Sequence, residues 1–145
     1  MNGANRDFLE GLKKEHQAAA GLLEEVQRAF QQNQLSKTAQ SLSALKGALL
    51  GHLKKEDEKL YPELSKLAQE KDLGLIKTTL STFSTAMKGI SERLIRFFDK
   101  YQGSEEIARD SATFKTDLTM VVESLHKRID GEEKVLYPMY EKHCC

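Results

Sequence analysis

The chain has 145 residues, with 22 basic and 22 acidic side chains, so its formal charge is zero at pH 7. That length suits one domain, residues 1–145, able to build its own core without disulfide staples. The charge balance leaves no basic field for nucleic acid or an anionic membrane, and 30% charged with 39% hydrophobic residues is a globular composition, not a disordered one.

No apolar stretch approaches the roughly 20 residues needed to cross a bilayer. The segment from Met1 to Asp7 carries neither a hydrophobic signal region nor a basic amphipathic transit pattern, which makes the cytoplasm the expected location. Two cysteines occur, Cys144 and Cys145, and a bond between neighbours is strained. Free thiols are therefore expected, either on a frayed tail or beside His143 in a small metal site.

Apolar positions stepping by three and four divide the chain into four helical stripes. The first runs Leu9, Leu12, His16, Ala19, Leu23, Val26, Phe30, and Asn33-Gln34-Leu35-Ser36 breaks it, with Ser36 as candidate cap of the next. The second runs Leu42, Leu45, Leu49, His52, Glu56, Leu60 and stops near Lys71-Asp72-Leu73-Gly74, where Asp72 is a candidate cap. The third runs Ile76, Leu80, Phe83, Met87, Ile90, Leu94, Phe97, Tyr101. Gly103-Ser104-Glu105-Glu106 then reads as a terminal glycine, a capping serine and first-turn acids. The fourth runs Phe114, Leu118, Val122, Leu125, Ile129, Glu132, Leu136. Helices of about 30 residues, roughly 45 Å long, joined by short turns predict an all-α, up-down-up-down four-helix bundle. Pro62 and Pro138 sit late in helices two and four and should kink them. Phe97, Phe98 and Tyr101 are expected in the core or capping its end.

The chain also echoes itself. Aligned on Leu60-Tyr61-Pro62 and Leu136-Tyr137-Pro138, Glu56 matches Glu132 and His52 matches Arg128. Function is suggested by the polar residues in the seam: His16, His52, Glu56 and Glu132 stand where leucine would be expected. His52 and Glu56, four residues apart, leave the same helix face. Carboxylates inside a bundle need a cation, a proton or hydrogen-bond donors. Two imidazoles and two carboxylates converging from three helices suit a divalent metal: iron, zinc or manganese. A metal-free network of protonated histidines paired with the glutamates is the alternative. No phosphate-cradling glycine loop, no nucleophile placed with a base and no zinc-finger spacing occurs, so no catalytic residue is assigned.

Glu15-His16 before an Ala/Leu-rich stripe, then His52-x-x-x-Glu56 leading to Leu60-Tyr61-Pro62, resembles the hemerythrin-like (HHE cation-binding) family from about Leu9 to Tyr140. The resemblance implies a four-helix bundle, non-haem iron and a role in responding to oxygen or redox state. Members typically hold two irons, with a histidine from the third helix and another a turn before the final acid. Here those slots read Met87 and Arg128, which leaves one metal on His16, His52, Glu56 and Glu132, or none. A shifted register would offer His126 and Asp130 as an alternative pair. Gly51-His52-Leu53, Arg128-Ile129 and Glu132-Glu133-Lys134 are also similar to segments of the Rsd/AlgQ anti-sigma bundle proteins. That second resemblance implies a metal-free bundle whose partner is a protein.

Overall fold

The computed structural model describes residues 3–145; Met1 and Asn2, the first residues of the segment read as carrying no signal pattern, lie outside the described residues. Four antiparallel rods form the bundle. The first is α1 (Gly3–Gln31). The second joins α2 (Leu35–Lys55) and α3 (Tyr61–Glu70) through a π-helical turn at Glu56–Leu60. The third is α4 (Gly74–Lys100), followed by a short α5 (Ser104–Arg109). The fourth joins α6 (Ser111–Gly131) and α7 (Tyr137–Cys144) through a second π turn at Glu132–Leu136. None of the described helices is long and apolar enough to cross a membrane.

The helix ends differ from the sequence expectations in instructive ways. Ser36 is not the cap of α2; the helix already begins at Leu35, and Gln34 precedes it without a side-chain cap bond. Asp72 closes α3 instead of opening α4. It takes a left-handed φ of 51°, as Asn33 does at 59° after α1, the conformation that short polar side chains tolerate best after glycine. In each turn the next amide folds back, Gln34 N–H to the Ala29 carbonyl and Leu73 N–H to that of Ala68, both at 2.9 Å. Gly103 is extended at φ −156° and leads into α5, a helix the stripes do not announce. Asp110 is the capping residue the sequence reading missed: it accepts from the Thr113 amide at 3.1 Å and from the Thr113 hydroxyl at 2.6 Å.

Pro62 and Pro138 act through the π turns rather than as simple kinks. Each follows the first residue after its turn, where Tyr61 N–H bonds to the Glu56 carbonyl and Tyr137 N–H to that of Glu132, five residues back. Proline lacks the donor for an α-helical bond and its ring crowds the carbonyl four residues back; a wider turn relieves both. One extra residue per turn also rotates the following helix. Leu136 and Tyr137, neighbours in sequence, are thereby both fully buried.

The core is in two parts. One cluster gathers Leu23, Leu45, Leu94, Phe97, Phe98, Tyr101 and Phe114 near the α5 end, so Phe97 and Phe98 of α4 and Tyr101 just beyond it are internal as expected. The other gathers Leu12, Leu60, Leu64, Leu80, Leu136 and Tyr140 near the start of α1. Between them, on three of the four rods, the stripes carry buried polar residues: His16, His52, Glu56, Arg128 and Glu132.

At the second end Glu63 ties three rods together. It accepts from the Tyr140 hydroxyl at 2.6 Å and from Asn5 Nδ2 at 3.2 Å, and it pairs with Lys59. Burial works against its charge, but Lys59, Tyr140 and Asn5 outweigh that and hold the carboxyl below its ordinary range. A depressed carboxyl contributes stability that is present above about pH 4.5 and is lost as pH falls through the folded-state value. In urea titrations, the margin of the wild type over Glu63→Gln should therefore be constant near neutrality and shrink as the buffer is taken below about pH 4.5. A margin unchanged down to pH 3 would mean the carboxylate adds nothing.

Candidate metal centre

Four helical segments bring the polar layer together. His16 comes from the middle of α1, His52 from the last turn of α2, and Glu56 and Glu132 open the two π turns. All four are buried, the glutamates completely. Each contributes one nitrogen or oxygen to a group whose members lie within 4.8 Å of one another. The sequence echo is thus real in space: Glu56 and Glu132, matched on Leu-Tyr-Pro, occupy equivalent turns and face a common centre.

His16 Nε2 lies 2.9 Å from Glu132 Oε1, and His52 Nε2 lies 3.4 Å from Glu56 Oε1. The outer nitrogens are held as well: His16 Nδ1 faces Glu133 Oε1 at 3.1 Å, and His52 Nδ1 faces Glu15 Oε1 at 2.8 Å. A carboxylate on Nδ1 orients the ring and leaves Nε2 free to ligate, the usual support for a metal-bound histidine. Glu15 pairs in turn with Lys55 at the surface.

Two further residues enter the cluster. The Tyr137 hydroxyl donates to Glu56 Oε2 at 2.9 Å and stands 3.1 Å from His16 Nε2 and 3.3 Å from His52 Nε2. Burial, then the two glutamates, raise its pKa, so it remains a neutral phenol. Arg128 Nη2 donates to Glu56 Oε1 at 2.8 Å and to Glu132 Oε2 at 3.2 Å. The fourth stripe is corrected here: Arg128 is 7% exposed and takes the seam position, whereas Ile129 is only partly buried. Steps of Leu125, Arg128, Glu132 follow the observed face; the apolar character of Ile129 favoured the wrong step.

The electrostatics are those of a desolvated network. Burial pulls His52 towards its neutral form, but hydrogen bonds to the Glu132 and Glu56 carboxylates, with Glu15 behind them, push its pKa up to about 10. Burial raises Glu56, and the nearby Glu132 carboxylate adds to this. Glu132 is also penalised by burial, yet Glu56, His16, His52 and Arg128 together draw it well below the carboxylate range.

The donor set fits one ion. Neighbouring donors around a metal held at about 2.1 Å stand roughly 3 Å apart. The contacts among His16 Nε2, His52 Nε2, Glu132 Oε1, Glu56 Oε2 and the Tyr137 hydroxyl run from 2.9 Å to the 3.9 Å between His52 and Glu132, at and somewhat above that value. The set does not fit two ions. Met87 is buried at the facing level of α4, and none of the described histidines, cysteines or acids beyond the four joins the group. The alternative pair fails too: His126 and Asp130 are exposed, and Asp130 is bound to Lys134. His143 and the tail cysteines lie outside the group. Both thiols are free and half-buried, and burial, with Glu63 nearby, pushes the Cys144 thiol up to about 11.

Glu133, Tyr137 and Arg128 are the site residues that the stripes did not identify as partners of the cluster. Glu133 had a signal, its place beside Glu132. Tyr137 had none in an unbroken helix, where it would lie on the flank of Leu136.

A bundle whose helices aim imidazole and carboxylate donors at one buried point defines a cation-binding class of helical protein. A family model, the hemerythrin HHE cation binding domain, matches residues 7–140, and the chain belongs to that family. No curated protein and no solved structure matches the chain at a significant level.

Proposed function

We propose that this protein, as a single cytoplasmic domain, binds one divalent metal ion through His16, His52, Glu56 and Glu132 and serves in oxygen- or redox-responsive regulation. The observation that carries the reading is the convergence of four buried donors within 4.8 Å, in a chain of the HHE cation-binding family. Two imidazoles and two carboxylates favour iron, with manganese or zinc as the other ions such a set accepts. Bound iron would supply a one-electron redox couple. The chain's own residues hold it, fix the imidazoles through Glu15 and Glu133, and exclude bulk water.

Elemental analysis of protein purified without an affinity tag tests this directly. About one equivalent of metal is expected, together with a lower unfolding temperature in chelator. Glu56→Ala should lose the metal. Less than about a tenth of an equivalent, with no effect of chelator, would overturn the reading.

One observation favours a second reading. Arg128, Tyr137 and the histidines already give every oxygen of Glu56 and Glu132 a donor, so both carboxylates are satisfied within a protein-only network. Under that reading the layer sets helix register and an exposed face binds a protein partner. A specific partner retained by His52→Leu/Glu56→Leu would support it.

A further inference from the structure

The four oxygens of Glu56 and Glu132 divide by their nearest donors, with His52 Nε2 standing farther off, 3.4 Å from Glu56 Oε1. Glu56 Oε2 and Glu132 Oε1 meet the Tyr137 hydroxyl and His16 Nε2, at 2.9 Å each. Glu56 Oε1 and Glu132 Oε2 meet Arg128 Nη2, at 2.8 and 3.2 Å. One nitrogen thus lies between the two carboxylates, as a bridged cation does. The arginine is fixed from the same helix turn as Glu132, and its side chain is 5% exposed.

Arg128 Nη1 is buried with no hydrogen-bond partner, and so is the Tyr61 hydroxyl. Arg128 lines a cleft of about 390 Å³ between α4 and α6, together with Phe83, Met87, Ile90, Lys127 and Gly131. That lining offers a thioether, hydrocarbon, the Thr82 and Ser124 hydroxyls and two further cations, Arg93 and Lys127, but no carboxylate, imidazole or thiolate to hold a free ion. A full positive charge already resides there, and a metal ion held by the imidazoles and the same two glutamates would compete with it for their negative charge.

The geometry points to Arg128 as a tethered cation that occupies the position between Glu56 and Glu132 and weakens the affinity of the site for its metal ion. This rests on the one-metal reading above. Like charges sharing two carboxylates at low dielectric repel, and the guanidinium cannot shed its proton to relieve the repulsion. The echo identifies what the position would otherwise hold, since Arg128 is the counterpart of His52, which presents a donor.

The test is equilibrium dialysis against Mn²⁺, with elemental analysis, of the wild type, Arg128→Met and Arg128→His. Arg128→Met keeps the length without the charge and should bind one Mn²⁺ at least roughly ten-fold more tightly than the wild type. Arg128→His puts a donor in place of the guanidinium and should tighten binding as well. Removing the guanidinium leaves two buried carboxylates uncompensated, so either variant can unfold without metal; recovery of helical circular dichroism on adding Mn²⁺ is then the same readout. Wild-type affinity in both variants would overturn the inference and leave the metal-binding reading intact. Variants that stay unfolded in excess Mn²⁺ would overturn it as well. A wild type without metal beside variants that acquire it would support Arg128 as the resident cation and remove the metal from the proposed function.

Discussion

Glu132→Leu should destabilise the metal-free protein by about 3–5 kcal/mol, a large share of the total for a domain of this size. Glu132 is fully buried and faces three potential cations: His16 Nε2 at 2.9 Å, Arg128 Nη2 at 3.2 Å and His52 Nε2 at 3.9 Å. Leucine supplies apolar area but leaves the guanidinium with Glu56 alone, in a layer buried away from bulk solvent. The loss is one of compensation rather than of a single attractive pair, because desolvation has already removed most of what a buried ion pair gains. The companion variant separates the two. Replacing His16, His52, Glu56, Arg128 and Glu132 together with leucine removes every buried charge and should leave the bundle folded, at equal or higher stability. Urea titrations followed by circular dichroism in chelator measure both. If Glu132→Leu alone cost less than about 1 kcal/mol, water would have to reach the layer.

Phe114→Ala is the second large effect, expected at about 3–5 kcal/mol with no change in metal stoichiometry. Phe114 is completely buried near the start of α6, with ring centroids 4.8 Å from Tyr101, 4.9 Å from Phe30 and 5.8 Å from Phe97. Truncation removes a ring from a cluster contributed by α1, α4 and α6 and opens a cavity that rigid helices cannot close. The eighteen residues to Glu132 put the two sites about 27 Å apart along the helix. The double variant Phe114→Ala/Glu132→Leu should therefore add within about 0.5 kcal/mol. A strong departure from additivity would show that the polar layer and the aromatic end do not act as separate parts of the core.

The residues themselves show which part of this protein is written locally. The stripes through Leu9, Leu12 and His16, through Leu49, His52 and Glu56, and through Leu94 and Phe97 are the buried faces of three rods. They are legible because a helix repeats every 3.6 residues and burial selects one face of it. The four seam residues His16, His52, Glu56 and Glu132 were legible for the same reason, as polar groups at apolar positions. The turns were less so. Asn33 and Asp72 are chosen for a left-handed φ that nothing in a cap pattern distinguishes from capping itself.

What periodicity alone determined, then, was the four long rods, the inward faces of the first three and four polar residues in their seams. Tertiary structure decided how that set of four is completed. An added residue in each π turn rotates the chain beyond it and brings Tyr137 to the centre, and the packed neighbours select Arg128 over Ile129 for the seam. Such choices depend on charge partners that converge from different rods: a buried guanidinium is tolerable only where Glu56 and Glu132 meet it, and that meeting lies 72 residues away along the chain for one of them.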